Sequence, residues 1–165
     1  MKLFSLIALA LAIMCVSQEA TAQTKTIILV RHAEKADATS QDPELSVEGK
    51  QRAERLVEVA GKYKPGAFYS TNFKRTRDTL VPLAAKRKQQ VVIYDPRKPA
   101  ELLDLITKSK IKRHMVAGHS NSVPGLANFI GKKDVFKNLD ESEYGVIWII
   151  RMKNGRIVKT EVMPY

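Results

Sequence analysis

Ile27 to Val30 is an unbroken apolar run that stops abruptly at Arg31-His32. A short apolar run bounded by charge predicts a strand buried on both faces. Arg31 and His32 cannot share that core. They therefore stand at the carboxyl end of the strand, where open α/β sheets place their ligand sites. After a polar loop with a turn at Asp42-Pro43, Ser46 is an N-cap, and Ala53, Leu56, Val57 and Ala60 recur at helical spacing until Gly61. Ala67-Phe68-Tyr69 predicts a second strand, leading into Ser70-Thr71-Asn72. A second helix is expected from Lys74 to about Lys88, with a kink at Pro82. Val91 to Tyr94 predicts a third strand, closed by the turn Asp95-Pro96-Arg97. Pro99 opens a helix whose Leu102, Leu103 and Ile106 face inward. Met115-Val116-Ala117 is a fourth, short strand ending in Gly118-His119-Ser120-Asn121-Ser122. Ser122 begins a helix to Ile130. Gly145–Met152 and Ile157–Met163, on either side of Asn154-Gly155, predict a β-hairpin.

Strands alternating with helices imply an α/β fold in three layers: a mostly parallel sheet with helices on both faces and a C-terminal antiparallel hairpin. No repeat, low-complexity tract or linker divides the chain, whose 165 residues suffice for one domain with a real core.

Residues 1–22 stand apart from this pattern. Lys2, the apolar stretch Leu3–Val16 and the small-x-small Ala20-Thr21-Ala22 have the organisation of a secretory signal peptide cut after Ala22. Residues 23–165 would then be the exported domain, periplasmic or secreted, with no stable membrane span. The apolar stretch is short for an anchor. Met14 before Cys15 is bulky for a lipid-attachment motif, but the sequence leaves lipidation at Cys15 open. Cys15 is the only cysteine, so the remaining domain has no disulfide, thiolate metal site or cysteine nucleophile. The formal net charge of +11 favours anionic partners without choosing among them.

An arginine or a histidine follows three strands: Arg31-His32, Arg75 and His119. Guanidinium groups bind phosphate oxygens through paired, charge-assisted hydrogen bonds. Two of them would neutralise the equatorial oxygens of a transferring phosphoryl group. A neutral imidazole is an adequate nucleophile and carries a phosphoryl group covalently. A second histidine, protonated beside the bound anion, adds a donor. Gly118 allows close backbone approach.

The residues that carry this chemistry resemble the histidine phosphatase superfamily, the phosphoglycerate mutase-like group. The matching blocks are Arg31-His32-Ala33-Glu34-Lys35; Leu45-Ser46 with Gly49 and Arg52-Ala53; Ser70-Thr71 with Arg75-Thr76 and Thr79; and Gly118-His119-Ser120-Asn121. They lie in the family's order across residues 27–126. The resemblance implies phosphatase activity through a phosphohistidine on His32, with Arg31, Arg75 and His119 completing the phosphate pocket. It offers Ser70, Asn121 and Glu34 as substrate-binding candidates, and it implies no cofactor and no metal. Ala33 replaces the family's usual glycine. Many members supply an acid after the third strand; here Asp95 and Glu101 are both in range, and neither sits in a matching motif. The larger secreted acid phosphatases carry a helical insertion and disulfides that this chain lacks. The size resembles small single-domain phosphatases, including those acting on phosphohistidine. An uncapped pocket would admit a phosphorylated small molecule, a phosphoprotein or an envelope phospho-glycolipid.

Two other classes remain open on sequence. A non-catalytic phosphate- or phosphoprotein-binding module could use the same fold. A nucleic-acid or anionic-surface binder would explain the charge, but aromatic residues are not interleaved with the basic ones, which disfavours a nucleic-acid partner. His114 reads as structural or surface, Trp148 as core, Lys86-Arg87-Lys88 as a solvated helix end, and Lys35 as solvated or substrate-facing. No His-x-x-x-His helix is present.

Overall fold

The structure is a computed structural model that describes residues 24–165; the expected signal peptide lies outside them. Six strands form one sheet in the order β3-β2-β4-β1-β5-β6. They are β1 (Thr24–Arg31), β2 (Ala67–Ser70), β3 (Val91–Ile93), β4 (Arg113–Gly118), β5 (Val146–Lys153) and β6 (Arg156–Pro164). The helices are α1 (Val47–Gly61), α2 (Lys74–Lys86), α3 (Pro99–Lys108) and α4 (Ser122–Gly131). β3, β2, β4 and β1 run parallel, while β5 pairs antiparallel with β1 and with β6. This is the three-layer α/β architecture the pattern predicts.

The unbroken apolar run of β1 has a direct cause. Ile27 and Leu29 join Tyr69 and Val116 on one face of the sheet, packed under Leu102 and Ile106 of α3 and Val123, Leu126 and Ala127 of α4. Ile28 and Val30 join Phe68 and Met115 on the other face, under Leu56 and Ala60 of α1 and Leu80 and Leu83 of α2. Each such side chain, fully buried, contributes roughly 1.5–3 kcal/mol. A single polar residue in Ile27–Val30 would forfeit that on one face.

Several boundaries differ from expectation, each for a physical reason. β1 starts three residues early, at Thr24, because β5 extends the pairing to Thr24↔Lys153. Lys25 is tolerated there because its buried ammonium donates to the carbonyls of Ser109 and Ile111. β4 begins at Arg113, two residues before the apolar stretch, through pairing with Thr26 of β1. His114 is buried, with Nε2 2.9 Å from the Ile111 carbonyl and its ring stacked on Tyr69, so it is structural. The helix α2 continues through Pro82 and ends at Lys86, two residues before the expected Lys88, which takes a positive φ of 54°. Trp148 is core, its ring edge-on to Phe136. Among the described residues, no helix is long and apolar enough to cross a membrane.

The start of α1 is docked on the chain just past β1. Ser46 caps the helix, its hydroxyl accepting the Gly49 N–H at 3.1 Å, and its own N–H donates to the Glu34 carbonyl at 3.0 Å. A Cβ on Gly49 would lie 2.3 Å from that carbonyl oxygen, so backbone packs on backbone there. Gly49→Ala is expected to lower unfolding free energy by about 1–3 kcal/mol, the usual cost of overpacking. Urea denaturation checks this; an unchanged midpoint would contradict the close approach.

Candidate active site

The central parallel pair brings the two histidines together. Arg31 is in register with Gly118, and the pairing continues one step beyond the strands, where the His32 N–H donates to the Gly118 carbonyl at 2.9 Å. His32 and His119 therefore leave adjacent strands side by side, with ring centroids 5.4 Å apart. On the far side of β4, Ser70 is in register with Ala117, which places Thr71 beside His119. Arg75 enters from the first turn of α2. A Cβ on Gly118 would meet the Ser122 hydroxyl at 2.7 Å, so only glycine lets α4 begin this close to the strand end.

His32 is almost fully buried, and its Nδ1 lies 2.8 Å from the Ala33 carbonyl. A carbonyl only accepts, so the proton sits on Nδ1 and Nε2 keeps its lone pair. Burial, then the charges of Arg75, His119 and Arg31, push the ring's pKa down to about 3, against the Ala33 bond, which raises it. His119 is pushed down to about 4 by burial, with Arg75 and Arg31 adding to it. Its tautomer is also fixed. Arg75 can only donate, so Nδ1 at 3.4 Å accepts, and Nε2–H donates to the Thr71 hydroxyl at 2.9 Å. Thr71 in turn donates to Thr76 at 2.9 Å, and Thr76 to the carbonyls of Thr71 and Phe73. Phe73 presents its ring to both His119, edge-on at 5.0 Å, and Arg75, at 4.4 Å.

Arg31 is 1% exposed. Its Nη1 donates to the carbonyls of Asp140 (2.6 Å) and Glu143 (2.9 Å), its Nη2 meets the Glu141 carboxylate at 3.2 Å, and it stacks over Tyr144. The Nε atoms of both Arg31 and Arg75 are buried without a hydrogen-bond partner. An unmet buried donor costs roughly 1–3 kcal/mol, more when charged. Both guanidinium groups lie close enough to the two imidazoles for their charges to act on them. Among the described residues, no group of three or more His, Cys, Asp or Glu is placed to hold a metal ion.

The structure thus gathers Arg31, His32, Arg75 and His119. The other candidates fare differently. Ser70 is fully buried and donates to the Thr71 carbonyl; the side chain that reaches His119 belongs to Thr71. Glu34 is held by Arg52 through contacts of 2.8, 2.9 and 2.5 Å, which leaves it a structural anchor for α1 in place of a substrate contact. Asn121 is exposed and lines, with His119, a groove of about 550 Å³ that also includes Phe73, Tyr94 and Arg97. Asp95 and Glu101 do not line that groove. Arg97 grips both oxygens of Asp95 and depresses its carboxyl to about 2, and Glu101 is paired with Lys98 in solvent. Neither makes a hydrogen bond or ion pair to the histidines. Thr71, Phe73, Glu141 and Tyr144 had no role assigned from sequence. Thr71 belongs to a matching block and Phe73 lies between its parts, whereas nothing local marks the loop that carries Glu141.

A sheet with two histidines and two arginines gathered at its carboxyl edge is the arrangement that the sequence resemblance implies. Residues 27–97 match the family model of the histidine phosphatase superfamily (branch 1), which bears the resemblance out. No curated protein is a significant sequence match. Solved structures share the fold at low identity. A protein titled mycobacterial hydrolase 1 aligns with TM-score 0.70 at 12% identity, covering 86% of this chain and 98% of its own. The protein histidine phosphatase SixA complexed with tungstate aligns with TM-score 0.67 at 17% identity, covering 84% and 96%. The mycobacterial glucosyl-3-phosphoglycerate phosphatase complexed with VO3 aligns with TM-score 0.67 at 13% identity, covering 86% and 98%.

The depressed histidines make stability depend on pH. An unfolded chain protonates both rings as pH falls through about 6.5, whereas the folded site resists until about 4 and 3. Stability is therefore fully present above pH 6.5 and lost progressively down to about pH 3. Tm should fall across that window, and His119→Gln should flatten the decline. An equally steep decline in the variant would remove His119 from the titration.

Proposed function

We propose that the protein hydrolyses phosphomonoesters or phosphoramidates, phosphoproteins and phosphohistidine included, through a phosphohistidine on Nε2 of His32. The observation that carries this reading is the fixed tautomer: the Ala33 carbonyl holds the proton on Nδ1 while Nε2 stays unprotonated at neutral pH. The Nε donors of Arg31 and Arg75 and the protonated His119 would bind the phosphoryl oxygens. Burial holds His119 neutral with the help of the arginine charges; a bound dianion would offset those charges, so its protonation would accompany binding. In-line attack by Nε2 forms a P–N bond to His32 as the bond from phosphorus to the leaving oxygen, or to the leaving nitrogen of a phosphoramidate, breaks. Water then attacks phosphorus and returns Nε2 to its resting state. The groove beside His119, bordered by Asn121, would receive the leaving group. The reaction would use no metal, because the arginines supply the neutralising charge.

The phosphatase names of the structural neighbours support the activity class, not the substrate. Export of residues 23–165 belongs to the same proposal, and the periplasm or exterior would supply a phosphorylated small molecule, a phosphoprotein or an envelope phospho-glycolipid. The intact mass of exported material should correspond to a chain beginning at Gln23; a full-length or lipid-modified species would contradict it.

Aryl phosphate turnover is the direct test. It should persist in chelator and be inhibited by vanadate. Brief reaction with labelled substrate should leave acid-labile, base-stable label on the protein that His32→Ala lacks. Arg75→Ala should lower kcat by about 10²–10³, the usual loss for one transition-state donor. Label that survives acid or persists in His32→Ala would reject His32 as nucleophile. Phosphate binding without any turnover would identify a binding module instead.

A further inference from the structure

We propose that Glu141 is the proton donor to the leaving group. This rests on the reading of His32 as nucleophile. An alkyl leaving group departs as a strongly basic oxyanion unless something protonates it. Asp95 is clamped by Arg97 and Glu101 pairs with Lys98, and neither makes a hydrogen bond or ion pair to Arg31, His32, Arg75 or His119. Glu141 comes from elsewhere in the fold, the connection between α4 and β5. Its Oε2 is 3.2 Å from Arg31 and 3.5 Å from Lys35, and its Oε1 accepts from the Ser120 hydroxyl at 3.1 Å. It thus touches the residue before the nucleophile and the residue after His119. Its side chain is 70% exposed, and through Ser120, the residue between His119 and Asn121, it adjoins the groove proposed to receive the leaving group.

The placement is built into the fold. The carbonyls on either side, of Asp140 and Glu143, are fixed by the buried Arg31 guanidinium. The Leu139 N–H donates to the Ser120 carbonyl at 2.9 Å. Asp140 turns the loop by accepting from the N–H and hydroxyl of Ser142, and its N–H donates to Glu143. Glu141 therefore rides on a backbone anchored at two points beside the histidines.

The charges around it explain how a carboxylate becomes an acid. Arg31 of β1, Lys35 of the following loop and the Ser120 hydroxyl face it; Tyr144 and Arg75 lie further off, and Asp140 and Glu143 flank it on its own loop. In the free protein Arg31, Ser120 and Lys35 together hold its pKa low despite partial burial. A phosphoryl dianion at Arg31 competes for the same cation and adds negative charge beside the carboxylate. Both effects drive a proton onto Glu141. In the first step that proton passes to the leaving oxygen as the P–O bond breaks and the His32 P–N bond forms. In the second, Glu141 takes a proton from the water that attacks phosphorus, the P–N bond breaks, and phosphate leaves with Glu141 protonated again. A phosphoramidate, whose nitrogen can be protonated beforehand, needs this donor less.

Glu141→Gln keeps an oxygen for Arg31 but has no proton to give. The ratio of alkyl to aryl phosphate kcat/KM should fall by about 10²–10⁴ in the variant, the usual range for general-acid assistance. Glu141 should also contribute a proton taken up on binding. Calorimetry with inorganic phosphate in two buffers of different ionisation heat should show greater uptake by the wild type than by Glu141→Gln. An unchanged ratio, including equal loss or equal gain with both esters, would overturn the proposal by showing that Glu141 only positions or screens Arg31. Equal proton uptake would overturn it too. If the wild type neither binds phosphate nor turns over aryl phosphate, the phosphatase reading itself fails first, and this assignment with it.

Discussion

One backbone hydrogen bond, from the His32 N–H to the Gly118 carbonyl, fixes the separation on which the site depends. It is the last rung of the β1–β4 ladder and lies just beyond the core. The fully buried side chains below it, Ile27 to Val30 and Met115 to Ala117, hold the two strands in that register. A slip of one residue would turn the apolar side chains to the wrong faces and separate the imidazoles at the same time. The stability of the core and the geometry of the site are therefore enforced by the same contacts. Gly118 adds the second half of the constraint, because its missing side chain lets α4 begin directly behind His119.

Electrostatics sets the state of the free site. Two buried or half-buried arginines and two histidines crowd one end of the sheet, and the imidazoles yield: both are driven neutral, mainly by burial. Arg31 finds partial compensation from the loop 138–144, through two carbonyls, one carboxylate and the Tyr144 ring, and Arg75 from the Gln41 carbonyl and the Phe73 ring. The Nε atoms of both arginines stay buried without a hydrogen-bond partner. The same group of charges holds Glu141 ionised: despite partial burial, its carboxyl is kept low by Arg31, Ser120 and Lys35.

Several residues of the matching sequence blocks have roles that are structural. Ala33 is fully buried against Leu45 and Ala53, where its methyl group fills space a glycine would leave empty, and its N–H donates to Thr79. Thr79 also donates to the Arg75 carbonyl at 2.7 Å, so it ties the end of β1 to the helix that carries Arg75. Ser46 caps α1, Gly49 lets it approach, and Arg52 locks Glu34. Sequence motifs around an active site thus contain the chemistry and the scaffolding in similar measure. Glu34 shows how a charged residue two positions from His32 can belong to the scaffolding.

The elements were legible in the sequence because each carries a local signal: the two-sided burial of β1 needs a continuous apolar run, α1 needs its periodic stripe and its Ser46 cap, and the β5–β6 turn needs Asn154-Gly155. The gathering of Arg31, His32, Arg75 and His119 was legible for a related reason, since parallel strands end on one edge and each of these residues follows a strand. The boundary of β1 was not, because Lys25 is accommodated only by carbonyls 84 and 86 residues away. The ionisation of Asp95 was settled by the conformation of one side chain, Arg97. The loop 138–144 has no periodicity, no breaker motif and no match to the resembling family, and its contacts with Arg31 span 109 to 112 positions of sequence. Local patterning determined which residues are strand, helix and site edge. Tertiary structure alone decided which carboxylate meets the arginine, because that depends on where a loop is brought back by β5 and not on any residue near it in the chain.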